Sequence, residues 1–214
     1  MAGIVAFLWN RGEQVLALFV MTLFYGFFRP GEGRSFLCTD LNLPAGGPQE
    51  SLNCVSLTVA PETRLEWSKT QTFDDTVLLD APVRYLGQLL VTLRGARPDG
   101  EPLFLLGHSA HLSWARACRA LGLPGLVLYQ LRHGGASADR LERRRSPQEI
   151  LARGRWQSEQ SLRRYAKSGR AQTLLGKLAP HVRAFTKMAL RDLELIVTGR
   201  RALAPPAACL LAAR

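Results

Sequence analysis

Residues 128–170 read LYQLRHGGASADRLERRRSPQEILARGRWQSEQSLRRYAKSGR, and the interpretation of the chain turns on them. Apolar positions in this stretch recur at helical rather than strand spacing, which predicts short helices over 130–141, 147–153 and 158–167. One boundary is sharply marked by Ser146-Pro147-Gln148-Glu149. Serine there accepts from the third helical amide, the glutamate returns to the serine amide, and proline at the first helical position lacks only a hydrogen that had no partner.

Outward from this segment the helical pattern continues. Residues 4–28 carry apolar positions at helical spacing, interrupted around 10–12, and predict two helices ending at Phe-Phe-Arg-Pro-Gly-Glu. Pro30 opens a further helix toward residue 36, and 44–48 reads as a loop. Stretches 52–60, 64–68 and 76–79 are rich in Val, Thr and Leu around a polar turn at 70–75, which predicts a small antiparallel meander. Pro82 opens a helix through about 94, a polar loop follows at 97–101, and further helices are expected at 110–121 and 180–197 before an Ala- and Pro-rich tail. The expected class is α+β, mostly helical with one small antiparallel sheet. There is no strand–helix alternation, no G-x-G-x-x-G and no Walker loop, which argues against a nucleotide cofactor.

Composition narrows the partner. At 214 residues, 47% hydrophobic and 21% charged, the chain has enough apolar material for a core and does not read as disordered. Its 28 Lys and Arg against 17 Asp and Glu leave a net charge of +11, which points to a polyanion, nucleic acid first and a membrane surface second. Cys38, Cys54, Cys118 and Cys209 are scattered, with no His at zinc spacing, so they read as reduced buried thiols and no metal is expected. The most apolar run, 15–28, falls short of the roughly 20 residues a bilayer needs, so it reads as a buried helix. With no signal peptide legible, an intracellular location is expected: the nucleus in a eukaryote, the nucleoid or cytoplasm in a bacterium.

Several motifs carry chemistry in a fixed order. Phe24-Tyr25-Gly26-Phe27-Phe28-Arg29-Pro30-Gly31-Glu32 ends the second helix, and Ser68-Lys69-Thr70 lies in the predicted meander. Tyr129-Gln130-Leu131-Arg132-His133 follows, then Gly154-Arg155-Trp156, and Tyr165 stands nine residues after Trp156. Taken singly these are ordinary residues: Arg29 a helix cap, Lys69 a solvated charge, Trp156 and Tyr165 packing residues. Together, over about residues 4–170, they resemble the catalytic domain of the tyrosine recombinase, or phage integrase, family.

The resemblance implies an integrase-like catalytic core at 1–170, without the amino-terminal core-binding domain of most members, and a carboxy-terminal helix and tail at 171–214. It implies DNA integration or recombination through a covalent 3′-phosphotyrosyl intermediate, with no cofactor, on double-stranded DNA and with assembly of copies on it. Tyr165 would be the nucleophile, Arg29 and Arg132 the cations on the nonbridging oxygens, and Lys69 the acid for the leaving oxygen. These roles suit the residue types, since guanidinium is bidentate and permanently charged while a lysine on a flexible stem can give up a proton. Trp156 offers an indole donor and an apolar wall, and Tyr129 stands where the family most often has histidine. Glu32 and His133 are supporting residues; Arg153, Arg155, Arg163, Arg164 and Lys167 are expected to hold DNA phosphates. The other reading is a catalytically inactive, mobile-element-derived remnant that binds DNA.

Overall fold

The computed structural model describes residues 1–49, 53–61, 64, 75–158, 160, 173 and 175–212. Helices α1 (Ala2–Asn10) and α2 (Gln14–Tyr25) form the centre. The turn between them needs Gly12, which sits at φ +77° in open space. Every residue from Leu16 to Leu23 is buried, so α2 is surrounded on all sides rather than along one stripe. Its one polar side chain in that run, Thr22, donates to the Leu18 carbonyl at 2.8 Å. The apolar run is thus core, and among the described residues no helix is long and apolar enough to cross a membrane.

Short α3 (Pro30–Ser35) follows, then a three-stranded antiparallel sheet in the order β1 (Leu41–Asn42), β2 (Ser56–Val59), β3 (Asp75–Leu78). Leu57 pairs with Leu41 on one side and with Val77 on the other, burying one face of the sheet. The sheet departs from the expected meander at its first strand: β1 lies in a stretch with no alternating pattern, and two residues are too few to show one. Of the expected strand at 64–68 only Arg64 is described, and it pairs with the buried Asp40 at 2.9 Å.

Next come α4 (Arg84–Arg94), α5 (Ala110–Ala120), α6 (Tyr129–Leu141) and α7 (Pro147–Gly154). The α7 cap is as the sequence predicts: Ser146 Oγ accepts from the Glu149 amide and Glu149 accepts from the Ser146 amide. The last expected helix is divided at Asp192 into α8 (Pro180–Arg191) and α9 (Leu193–Val197), both packed on α1. Val182, Phe185 and Ile196 therefore belong to the same core as α1 and α2. The tail holds one further helix, α10 (Ala207–Ala212), which seats Cys209 against α5. All four cysteines are buried.

Two packings set up the region of interest. Helix α6 lies against α2 so closely that a Cβ on Gly135 would stand 1.9 Å from the Phe24 carbonyl oxygen. Helix α7 packs on α6, and Phe27, Ala136 and Ile150 form a small core of their own under it. The ends of α2, α6 and α7 therefore meet at one place.

Candidate functional site

Where these ends meet, one carboxylate gathers arginines that are far apart in sequence. Glu32 caps α3, accepting from the Arg29 amide at 2.7 Å and from Arg29 Nη1 at 2.5 Å. The same carboxylate accepts from Arg155 Nη2 at 2.7 Å and lies 3.7 Å from Arg132 Nη1. Among the described residues Glu32 thus faces three guanidiniums, more positive charge than its single carboxylate balances.

Arg132 is wholly buried. Its Nη1 donates to the Phe27 carbonyl at 2.6 Å, its Nη2 donates to the Gly154 carbonyl, and its guanidinium lies 4.9 Å over the Trp156 ring. Gly154 ends α7, so its carbonyl is one of those a helix leaves without an internal partner, and a cation there is doubly favourable. Arg132 Nε is buried and has no hydrogen-bond partner among the described residues. Burial, with Arg155 and Arg29 nearby, pushes Arg132 down to about 10 against the opposing pull of Glu32, so it stays charged near neutrality.

The two loops that Arg132 ties together both turn through left-handed backbone, at Phe27 (φ 51°) and Arg155 (φ 54°). Such turns cost a residue bearing a Cβ about 1–2 kcal/mol. They place the Phe27 carbonyl between Arg132 and Arg155, the latter at 3.3 Å, and stack the Trp156 ring on Phe27 with centroids 6.2 Å apart and planes inclined by 26°. The glycine of Gly154-Arg155-Trp156 is required by contact, since a Cβ there would stand 2.1 Å from the Trp156 ring.

Arg153 and Arg155, expected to face DNA, are turned inward. Arg153 Nε donates to the Tyr25 carbonyl at 2.8 Å and its guanidinium lies over the Phe27 ring. Its side chain is 8% exposed and that of Arg155 is 4%. Burial lowers both below the usual arginine range, Arg153 to about 10, and Glu32 and Asp75 oppose the shift at Arg155. Arg29 is the most accessible guanidinium of the cluster, with 21% of its side chain exposed.

Tyr129 opens α6 on the exposed surface and meets His133 edge to face at 4.9 Å. Arg29, Glu32, Tyr129, Arg132, His133 and Trp156 therefore gather around the ends of α2, α6 and α7. Lys69, Arg163, Arg164, Tyr165 and Lys167 lie outside the described residues. Asp75, where β3 begins, is near enough to Arg155 to support its charge.

Two residues outside the expected set belong to this region: Phe27, whose carbonyl is the shared acceptor, and Asp80, which takes Arg145 and lies 3.9 Å from Arg153. Phe27 carries no signal beyond its place in the first motif. Asp80 is 65 residues from Arg145, and nothing local marks the pair. No family model, no curated protein and no solved structure matches this chain.

Proposed function

We propose that the chain is a DNA strand-breaking and rejoining protein of the tyrosine recombinase type, serving integration or recombination. The observation that supports this most is the convergence on Glu32 of Arg29 and Arg132, which stand in separate motifs and share one carboxylate. An excess of fixed positive charge in a partly dry site is what a phosphodiester gaining charge in its transition state needs. In this reading Tyr165 releases its phenol proton to solvent and its oxygen attacks the phosphorus, the bond to the 5′ oxygen breaks, and Lys69 gives that leaving oxygen a proton. Rejoining is the reverse, a 5′ hydroxyl from another strand displacing the tyrosine. Phosphate-ester energy is kept throughout, so the step calls for neither nucleotide nor metal. Arg29 meets the phosphate first, being the accessible guanidinium, while Arg155 and Glu32 hold the cluster in place.

A second reading is a DNA-binding protein without turnover. It is favoured by Arg132, whose two terminal nitrogens are both committed to backbone carbonyls inside the protein. One experiment separates the two: supercoiled plasmid is incubated with the purified chain in EDTA, wild type beside Tyr165→Phe, and relaxed product and protein–DNA adducts are scored. Relaxation by wild type alone supports the first reading. Salt-sensitive binding without an adduct supports the second, and absence of DNA binding removes both.

A further inference from the structure

A second basic feature lies at the opposite end of α7. The turn from α6 into α7 borders an open concavity of about 460 Å³ lined by Arg140, Arg143, Arg144, Arg145, Ser146 and Pro147, with Ile150 at its base. Arg145 is neutralised in place by Asp139 and Asp80, and Arg144 pairs with Glu142. Glu149 is occupied at the cap, its carboxyl held below the usual range by the Ser146 amide and hydroxyl. Arg140 and Arg143 have no acidic partner among the described residues, so the concavity keeps two unmatched guanidiniums beside the positive end of α7.

Arg143 also sits at φ 52°, the left-handed position closing α6, where the Arg144 amide reaches back to the Asp139 carbonyl at 3.0 Å. Glycine is the residue such a cap favours. An arginine here accepts backbone strain and adds a guanidinium to the concavity.

We propose that this concavity is a phosphate site, one that holds a backbone phosphate of the DNA duplex whose scissile phosphate meets Arg29; this rests on the reading given under Proposed function. Helix α7 joins the two places. Its eight residues span about 12 Å at about 1.5 Å per residue, or between three and four nucleotide steps at about 3.4 Å each along a duplex. A single duplex therefore reaches both ends of the helix. Two unpaired guanidiniums in a shallow bowl match a phosphodiester, and a free diphosphate carries the same chemistry.

The test uses the full chain and two variants, Arg140→Gln and Arg143→Gly, each checked for folding by circular dichroism. Binding of a mixed-sequence duplex is measured across salt concentrations, and pyrophosphate is titrated by calorimetry. Each variant is expected to weaken duplex binding about equally across sequences and to lower the salt slope by about one. Arg143→Gly should do so while raising Tm, a combination that a purely structural arginine does not give. Duplex affinity and slope unchanged in both variants overturn the proposal. Loss of saturable pyrophosphate binding in the variants, with duplex binding intact, also overturns it and makes the concavity a free-anion site. If wild type binds no duplex at all, the reading under Proposed function fails and this proposal with it. If wild type binds duplex and only the variants lose the slope, both stand.

Discussion

Glu32→Gln is the sharpest test of the arginine cluster. The substitution keeps shape and one oxygen acceptor but removes the carboxylate that, among the described residues, lies within ion-pair distance of Arg29, Arg132 and Arg155 alike. Leaving a buried charge without its partner costs about 3–5 kcal/mol. Here Glu32 is 14% exposed and Arg29 21%, so water recovers part of that and about 3 kcal/mol is expected. For a chain of this size each kcal/mol moves Tm by about 2–4 °C, so Glu32→Gln should melt about 6–12 °C below wild type. The mechanism has an internal check. With the carboxylate gone, Arg29 only repels the other two guanidiniums, so adding Arg29→Ala to Glu32→Gln should restore about 1 kcal/mol, whereas Arg29→Ala alone should cost less than that. Thermal melts of the three variants, followed by circular dichroism, decide it. A Glu32→Gln protein melting within about 2 °C of wild type, or a double variant no more stable than the single, refutes the account of the cluster as charge-balanced by Glu32.

Other outcomes follow from single contacts. Gly135→Ala drives a Cβ into the Phe24 carbonyl at 1.9 Å, both atoms belonging to packed helices, so stability should fall by about 1–3 kcal/mol in urea melts, and a neutral result would mean α6 does not sit so close to α2. Ser146→Ala removes the α7 cap and should cost about 1 kcal/mol, while Ser146→Asp should restore most of it. Cys118, pushed up to about 11 by burial, stays protonated in the folded chain while the unfolded thiol ionises near 9. Its contribution is whole below pH 9 and is lost as pH rises toward 11. Urea melts at pH 8 and 10.5 should therefore show a larger alkaline loss in wild type than in Cys118→Ala, and equal losses would remove Cys118 as the cause.

Whatever depends on neighbours along the chain was legible in the order of residues. Helical spacing of apolar residues, Pro30 and Pro147 at helix starts and the Ser146–Glu149 box are local signals, and α1, α2, α3, α5, α6 and α7 lie where they predict, while Pro82 stands in a 3-10 turn and α4 begins two residues later, at Arg84. The excess of arginine and lysine is equally a property of the chain. Local signals failed where an element is held by contacts from elsewhere. Strand β1 exists because β2 offers it hydrogen bonds, α10 because α5 gives Cys209 a buried seat, and the bend at Asp192 lets both α8 and α9 meet α1. The arginines divide the same way. Sequence could say that Arg29, Arg132, Arg153 and Arg155 are cations on or near helices, but not which way each long side chain turns. That was decided by the Phe27, Gly154 and Tyr25 carbonyls and by Glu32, brought together by the meeting of α2, α6 and α7. A guanidinium goes where acceptors remain unsatisfied after the backbone has packed, and only the tertiary structure fixes where those acceptors are.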